Sequence, residues 1–145
     1  MSSDQASPRL AYLLKHANQR ISELTEAALL PYDLSGKELA VLNVLSALEL
    51  GSQQQAAQRL GIDRSTMVAL LDSLERKDLV SRHPHVDDRR RNVVELTEHG
   101  METRRKARVA ALAAEQEFLE PVAVAAGDQL RAALETIVRA SRSQG

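Results

Sequence analysis

The chain has 145 residues, enough for one domain of ordinary size, and 43% of them are apolar while only 2% are aromatic, so a core of Leu, Val and Ala is expected. It holds no cysteine, which excludes a disulfide framework and a thiol redox switch, and its net charge of −1 means that any affinity for nucleic acid must come from locally placed charge. No apolar run approaches the ~20 residues that span a bilayer, and Met1 to Ser7 lacks the basic and apolar regions of a signal peptide, so a soluble, cytoplasmic protein is expected.

From Leu10 to Ala28 the residues Leu10, Leu13, Leu14, Ala17, Ile21, Leu24 and Ala28 recur at helical spacing and predict one continuous buried stripe, ended by Pro31. Ser35-Gly36-Lys37-Glu38 reads as a capping box that starts a second helix, running to about Leu48 and buried through Leu39, Leu42 and Leu45. Gly51 and Ser52 break the chain. Ser52-Gln53-Gln54-Gln55 then starts a short helix carrying Ala56, Ala57 and Leu60, which Gly61 stops. Asp63 caps the next helix, whose Met67, Leu70, Leu71 and Leu74 face inward as far as Lys77 or Asp78.

Leu79 to Pro84 and Asn92 to Leu96 read as two short strands of a hairpin with Arg89, Arg90 and Arg91 at its tip. Thr97 is the expected N-cap of a long helix that passes through Ala107 to Ala114 and ends near Phe118, before Pro121. A last helix with Leu130, Leu134, Ile137 and Val138 on one face is expected to end before Ser141. The fold class that follows is mainly α with a small β-hairpin, without internal repeats or a flexible linker.

The short helix, the Gly61-Ile62 turn and the helix from Asp63 form a helix-turn-helix pattern, in which Ala56 and Ala57 permit close packing. Opposite the apolar stripe of the second of these helices lie Ser65, Ala69, Asp72 and Arg76, with Thr66 and Ser73 on the flank. Such a small, polar face is either ordinary solvated surface or a surface fit for the major groove, where Arg64 pairs with guanine and the hydroxyls of Ser65 and Thr66 meet bases or phosphates. Asp72 counts against the second alternative, because a carboxylate facing the DNA backbone is repelled. The arginines of the hairpin tip are too costly to bury unpaired, and a turn between strands places them either in solvent or along phosphates and the minor groove, with Asp87 and Asp88 orienting a guanidinium. Arg9, Tyr12, His16 and Arg20 share the polar face of the first helix, which is solvated surface in the plainest reading.

His83, His85, His99 and Glu102 imitate a metal cluster, but nothing in their spacing demands convergence, and neither a metal nor a cofactor is expected. Catalytic triad order, paired catalytic carboxylates and a Gly-rich phosphate loop are absent from the sequence, so an enzyme is not expected.

Asp88, Arg90, Val94, Leu96 and Thr97 match the D-x-R-x-x-x-V-x-L-T signature of the MarR family of bacterial winged helix-turn-helix transcriptional regulators, with Gly100 following as in that family. Leu60-Gly61, Ser65-Thr66, Leu71, Leu74, Glu75, Leu79, Val80 and Arg82 resemble the family's helix-turn-helix run, and the likeness extends over essentially the whole chain. One departure is Asp78, where family members often carry Gly; Asp adopts the left-handed conformation at modest cost. The resemblance implies one MarR-type domain over residues 1–145, with a winged helix-turn-helix DNA-binding lobe at 34–100 and dimerisation helices at 8–30 and 101–141. It implies a homodimer on a pseudo-palindromic double-stranded DNA operator, a repressor released by a small ligand such as an aromatic or phenolic carboxylate, and no membrane partner. The DNA contacts would be Arg64, Ser65, Thr66, Ser73, Arg76, Arg89, Arg90 and Arg91, with Asp88 orienting the wing. Arg9 or Arg20 would hold the ligand carboxylate, and Tyr12 or His16 its phenolic oxygen. The apolar stripes at both chain ends exceed what a small winged domain needs for its own core, which fits either a dimer or a larger monomeric core. The competing function is a winged-helix protein-interaction module that never contacts DNA.

Overall fold

The computed structural model describes residues 7–48, 51–84, 86–87 and 92–144. Helix α1 (Leu10–Leu29) passes into a 3-10 turn (Leu30–Tyr32) that contains Pro31, so the proline sits inside the turn and does not end the helix directly. Asp33 then adopts a left-handed φ of 53°, which turns the chain toward Ser35. Helix α2 (Gly36–Ala47) opens with the expected capping box: Ser35 Oγ accepts from the Glu38 amide at 3.1 Å, and Glu38 Oε1 accepts from the Ser35 amide at 3.1 Å. The same device opens α3 (Gln53–Leu60) through Ser52 and Gln55. Gly61 at φ 65° closes α3, a conformation that suits a residue without a Cβ, and α4 (Arg64–Arg76) follows after two residues.

Strands β1 (Val80–Pro84) and β2 (Asn92–Leu96) pair antiparallel from Val80 opposite Leu96 to Pro84 opposite Asn92. The hairpin has a further tie that no local sequence pattern marks. Ser52 bridges to Val93, and the Val94 amide donates to the Gly51 carbonyl at 3.0 Å, which joins the hairpin to the start of α3. Asp78, at φ 58°, takes the left-handed conformation expected of it. Thr97 caps α5 (Glu98–Leu119) by accepting from the Gly100 amide at 2.9 Å, while its hydroxyl donates to the Asp78 carbonyl at 2.6 Å. Gly100 allows the close approach, because a Cβ there would lie 1.9 Å from the Leu79 carbonyl oxygen. Helix α6 (Val124–Arg142) runs past the expected stop before Ser141, and the Ser141 and Ser143 hydroxyls donate back to the carbonyls of Val138 and Arg139.

Contacts divide the chain into two compact units, one formed by residues up to Leu24 together with those from Ala113 onward, the other by Thr25–Leu112. The second unit is therefore wider at both ends than residues 34–100. Its core gathers Leu29, Leu39, Val41, Leu42, Met67, Leu71, Leu74, Val80, Val94 and Ala107, all buried. At roughly 2 kcal/mol for each large apolar side chain removed from water, this cluster supplies most of the drive to fold the unit. In the other unit the expected continuous buried stripe of α1 is corrected: Leu10, Leu13 and Leu14 keep 67, 48 and 44% of their surface, because none of the described residues covers that end of the helix. Leu130, Leu134, Ile137 and Val138 of α6 are likewise exposed.

Candidate nucleic-acid interface

Helix α4 buries Met67, Leu71 and Leu74, and that choice of face turns the opposite one outward. Arg64, Ser65, Ala69 and Arg76 are exposed, and Thr66 and Asp72 are half-buried. Asp63 occupies the N-cap, but its side chain accepts from the Ser65 hydroxyl at 2.5 Å and does not cap an amide. Hydrogen bonds from Ser65, and then Thr66, hold the Asp63 carboxyl below its usual pKa. Ser65 has thus committed its proton, and what it offers outward are acceptor lone pairs, suited to an amino group on a base edge.

Ser73, one of the expected DNA contacts, has its hydroxyl engaged within the chain. Its hydroxyl donates inward to Glu38 Oε2 at 3.0 Å, because Glu38 is a carboxylate only 6% exposed that must be satisfied from within. Lys77 completes the site, its ammonium 3.0 Å from Glu38 Oε2 and 2.6 Å from the Asp33 carbonyl. Burial acts to raise the Glu38 pKa, but the hydrogen bonds from Lys77, the Ser35 amide and Ser73 prevail and hold it below 4.5. Glu38 is thus more than half of a capping box; its second role joins α2 to the end of α4 across the fold.

The hairpin is joined to α4 through Arg82. Strand alternation puts Arg82 on the same side of β1 as buried Val80. Its Nη2 donates to Asp72 Oδ1 at 2.5 Å, while Nε and Nη2 each reach a Glu75 carboxylate oxygen at 3.2 Å. The Arg82 bonds, chiefly, lower the pKa of Glu75, and Glu75, then Asp72, raise that of Arg82. Asp72, the residue that argued against a DNA-facing α4, is therefore part of an internal ion cluster. The expected wing residues Asp88, Arg89, Arg90 and Arg91 lie outside the described residues, as does His85; Asp87 is exposed.

On α1 the rings of Tyr12 and His16 approach to 4.2 Å between centroids at an interplanar angle of 48°. Arg9 and Arg20 are exposed about one helical turn to either side. A groove of about 420 Å³ in the same compact unit is lined by Ile21, Phe118, Leu119, Leu130, Leu134 and Val138, with the Arg131 to Glu115 ion pair at its edge, and includes none of those four residues. Among the described residues no group of three or more His, Asp or Glu side chains is placed to hold a metal ion: His83 stands on β1 and His99 in the first turn of α5. No described helix is long and apolar enough to cross a membrane.

The sequence pattern of the MarR family matches residues 32–91. The transcriptional repressor CouR, solved bound to a 23-mer DNA duplex, is 31% identical, and the match covers 95% of this chain and 98% of CouR with a TM-score of 0.87. CouR from Rhodococcus jostii RHA1 bound to p-coumaroyl-CoA is 29% identical over 92% of this chain and 95% of its own, with a TM-score of 0.79. Wild-type MarR from E. coli in its apo form, 22% identical over 91% and 98%, shares the fold with a TM-score of 0.78.

Proposed function

The chain belongs to the MarR family of transcriptional regulators, and on that premise we propose that it is a repressor that binds a pseudo-palindromic operator as a homodimer and is released by a small anionic ligand. The observation that carries the DNA reading is the outward first turn of α4, with Arg64 and Ser65 exposed on a helix whose other face is locked into the core. An arginine there has the reach for bidentate pairing to guanine, the Ser65 oxygen, its proton given to Asp63, accepts from a base amino group, and Thr66 adds a hydrogen bond to a neighbouring base edge. Arg76, exposed in the last turn, suits a phosphate, as do Arg89 and Arg91, while Arg90 held by Asp88 would enter the minor groove.

The dimer reading draws support from Leu10, Leu13, Leu14, Leu130, Leu134, Ile137 and Val138, exposed leucine-rich faces at both ends of the chain that a second copy would cover. Two-fold symmetry then sets two α4 helices about one DNA turn apart, roughly 34 Å or a multiple. For the effector, p-coumaroyl-CoA on CouR gives precedent for a ligand with a phenolic acyl group in a related chain, there as a thioester whose charge lies on the CoA phosphates. In this one the paired rings of Tyr12 and His16 between Arg9 and Arg20 are suited to a phenolic carboxylate, by stacking and by guanidinium to carboxylate bonds. Such a ligand acts by favouring the DNA-incompetent state, since equal affinity for both states shifts nothing.

A duplex recovered by selection from a randomised pool tests the reading. Arg64→Ala is expected to weaken binding by about tenfold and relax preference at one base pair, and Arg90→Ala to reduce the slope of log affinity against log salt by about 1. Unchanged affinity and slope in both variants would remove the interface, and salt-independent or absent DNA binding by the wild type would favour a protein-interaction module.

A further inference from the structure

The cluster of Arg82, Asp72 and Glu75 has a geometry that its architectural role does not exhaust. Asp72 lies on the α4 stripe between exposed Ala69 and Arg76, and Glu75 flanks it; each carboxylate keeps close to half of its surface, at 43 and 44%. Arg82 is less exposed than either, at 21%, and its donors run back along the helix to the two acids. Two carboxylates on the side of α4 that carries Arg64 and Ser65 would repel a polyanion, and like-charge juxtaposition across an interface is strongly unfavourable. One guanidinium bridging both brings the cluster from two negative charges to one and draws both carboxylates toward the hairpin.

We propose that Arg82 is a masking residue for DNA binding: it offsets half the charge of Asp72 and Glu75 and holds both aside, so that α4 can approach DNA, without itself contacting the phosphates. This rests on α4 facing DNA, as proposed above. It accounts for acidic residues on that face, since they hold the hairpin against α4 through Arg82 and their charge is covered where it would otherwise interfere. It also separates Arg82 from Arg64, Arg76 and the tip arginines, whose contribution would be direct.

The test compares wild type, Arg82→Gln, Asp72→Asn/Glu75→Gln and the triple variant on one selected duplex by fluorescence anisotropy at about 0.1 M salt, with thermal melting of each protein alongside. Masking predicts that Arg82→Gln binds about tenfold more weakly. The triple variant is expected to recover to within about twofold of wild type, although it still lacks the arginine, because the charges that Arg82 covered are gone. The double variant, with Arg82 kept, is expected to bind at least as tightly as wild type. Failure of the triple variant to recover would overturn masking in favour of a direct phosphate contact or a hairpin-shaping role for Arg82. Weaker binding by the double variant would do the same, and this arm decides the matter if Arg82→Gln does not fold. Equal binding by Arg82→Gln and wild type would also overturn it. If the wild type selects no duplex at all, the DNA reading itself fails and masking falls with it, an outcome distinct from the other three.

Discussion

Leu42, Leu71 and Leu74 in the Thr25–Leu112 unit have no exposed surface, whereas Leu130, Leu134 and Ile137 in the unit of the terminal segments keep 42, 39 and 60% of theirs. Both units are rich in leucine and helix, so composition does not separate them. The difference is closure: α2, α3, α4 and the hairpin surround one another and close a core, while the amphipathic faces near the start of α1 and along α6 find no cover among the described residues. One unit is built to be stable within the chain. The other leaves apolar side chains exposed, and the homodimer proposed above would cover them with the same faces of a second copy.

The sharpest way to break this comparison is to charge the open face. Leu134→Glu with Ile137→Glu is expected to convert a dimer to a monomer in analytical ultracentrifugation and to weaken operator binding by about 1,000-fold, since a monomer loses the linked second half-site. A monomeric wild type, or a variant that remains dimeric, would refute the second copy as the cover. Next in size, Leu71→Ala, placed in the closed core, is expected to lower unfolding free energy by about 3 kcal/mol in urea titration while leaving the association state intact. A shift in association state would show that the two units are not separable in the way proposed.

The smallest effect sharpens the account of the closed unit. Lys77→Met strands Glu38 in its buried site and is expected to cost about 2 kcal/mol near neutral pH, less than a fully buried pair because Lys77 is itself partly exposed. The folded-state pKa of Glu38 lies below 4.5, so its stabilisation is complete above the unfolded value and is lost as pH falls through the folded one. In the variant, burial acts without the cation and raises that pKa, so acid neutralises the stranded charge. The gap between wild type and variant in thermal melts is therefore expected to close below about pH 4.5; a gap that does not depend on pH would mean that Lys77 acts by packing alone.

The local devices were legible because each is written within three or four residues. The capping boxes at Ser35 and Ser52, the left-handed turn at Gly61, the left-handed Asp78 and the Thr97 cap all stand where the sequence puts them. So does the pairing of β1 with β2, since two strands of matched length joined by a short connection admit few registers. The exposure of Arg64, Ser65 and Arg76 on α4 was equally legible, as the complement of an apolar stripe. What the pattern could not show was the direction taken by residues on the edge of that stripe. Ser73 reads as outward by its flank position, yet it turns to Glu38, and Asp72 reads as an obstacle to DNA, yet it is held by Arg82.

Sequence by itself thus determined the order of elements, the caps at Ser35, Ser52 and Thr97, the core faces of α2 and α4 and the family to which the chain belongs. Only the tertiary structure decided which polar groups near those faces are committed to one another: Ser73 and Lys77 to Glu38, 35 and 39 residues away, and Gly51, before α3, to Val94 of the hairpin. The reason is one of range. Helix periodicity and capping are set by hydrogen bonds that reach a turn along the chain, whereas a buried carboxylate must find its donors among whatever groups packing brings alongside, and sequence separation carries no record of that meeting.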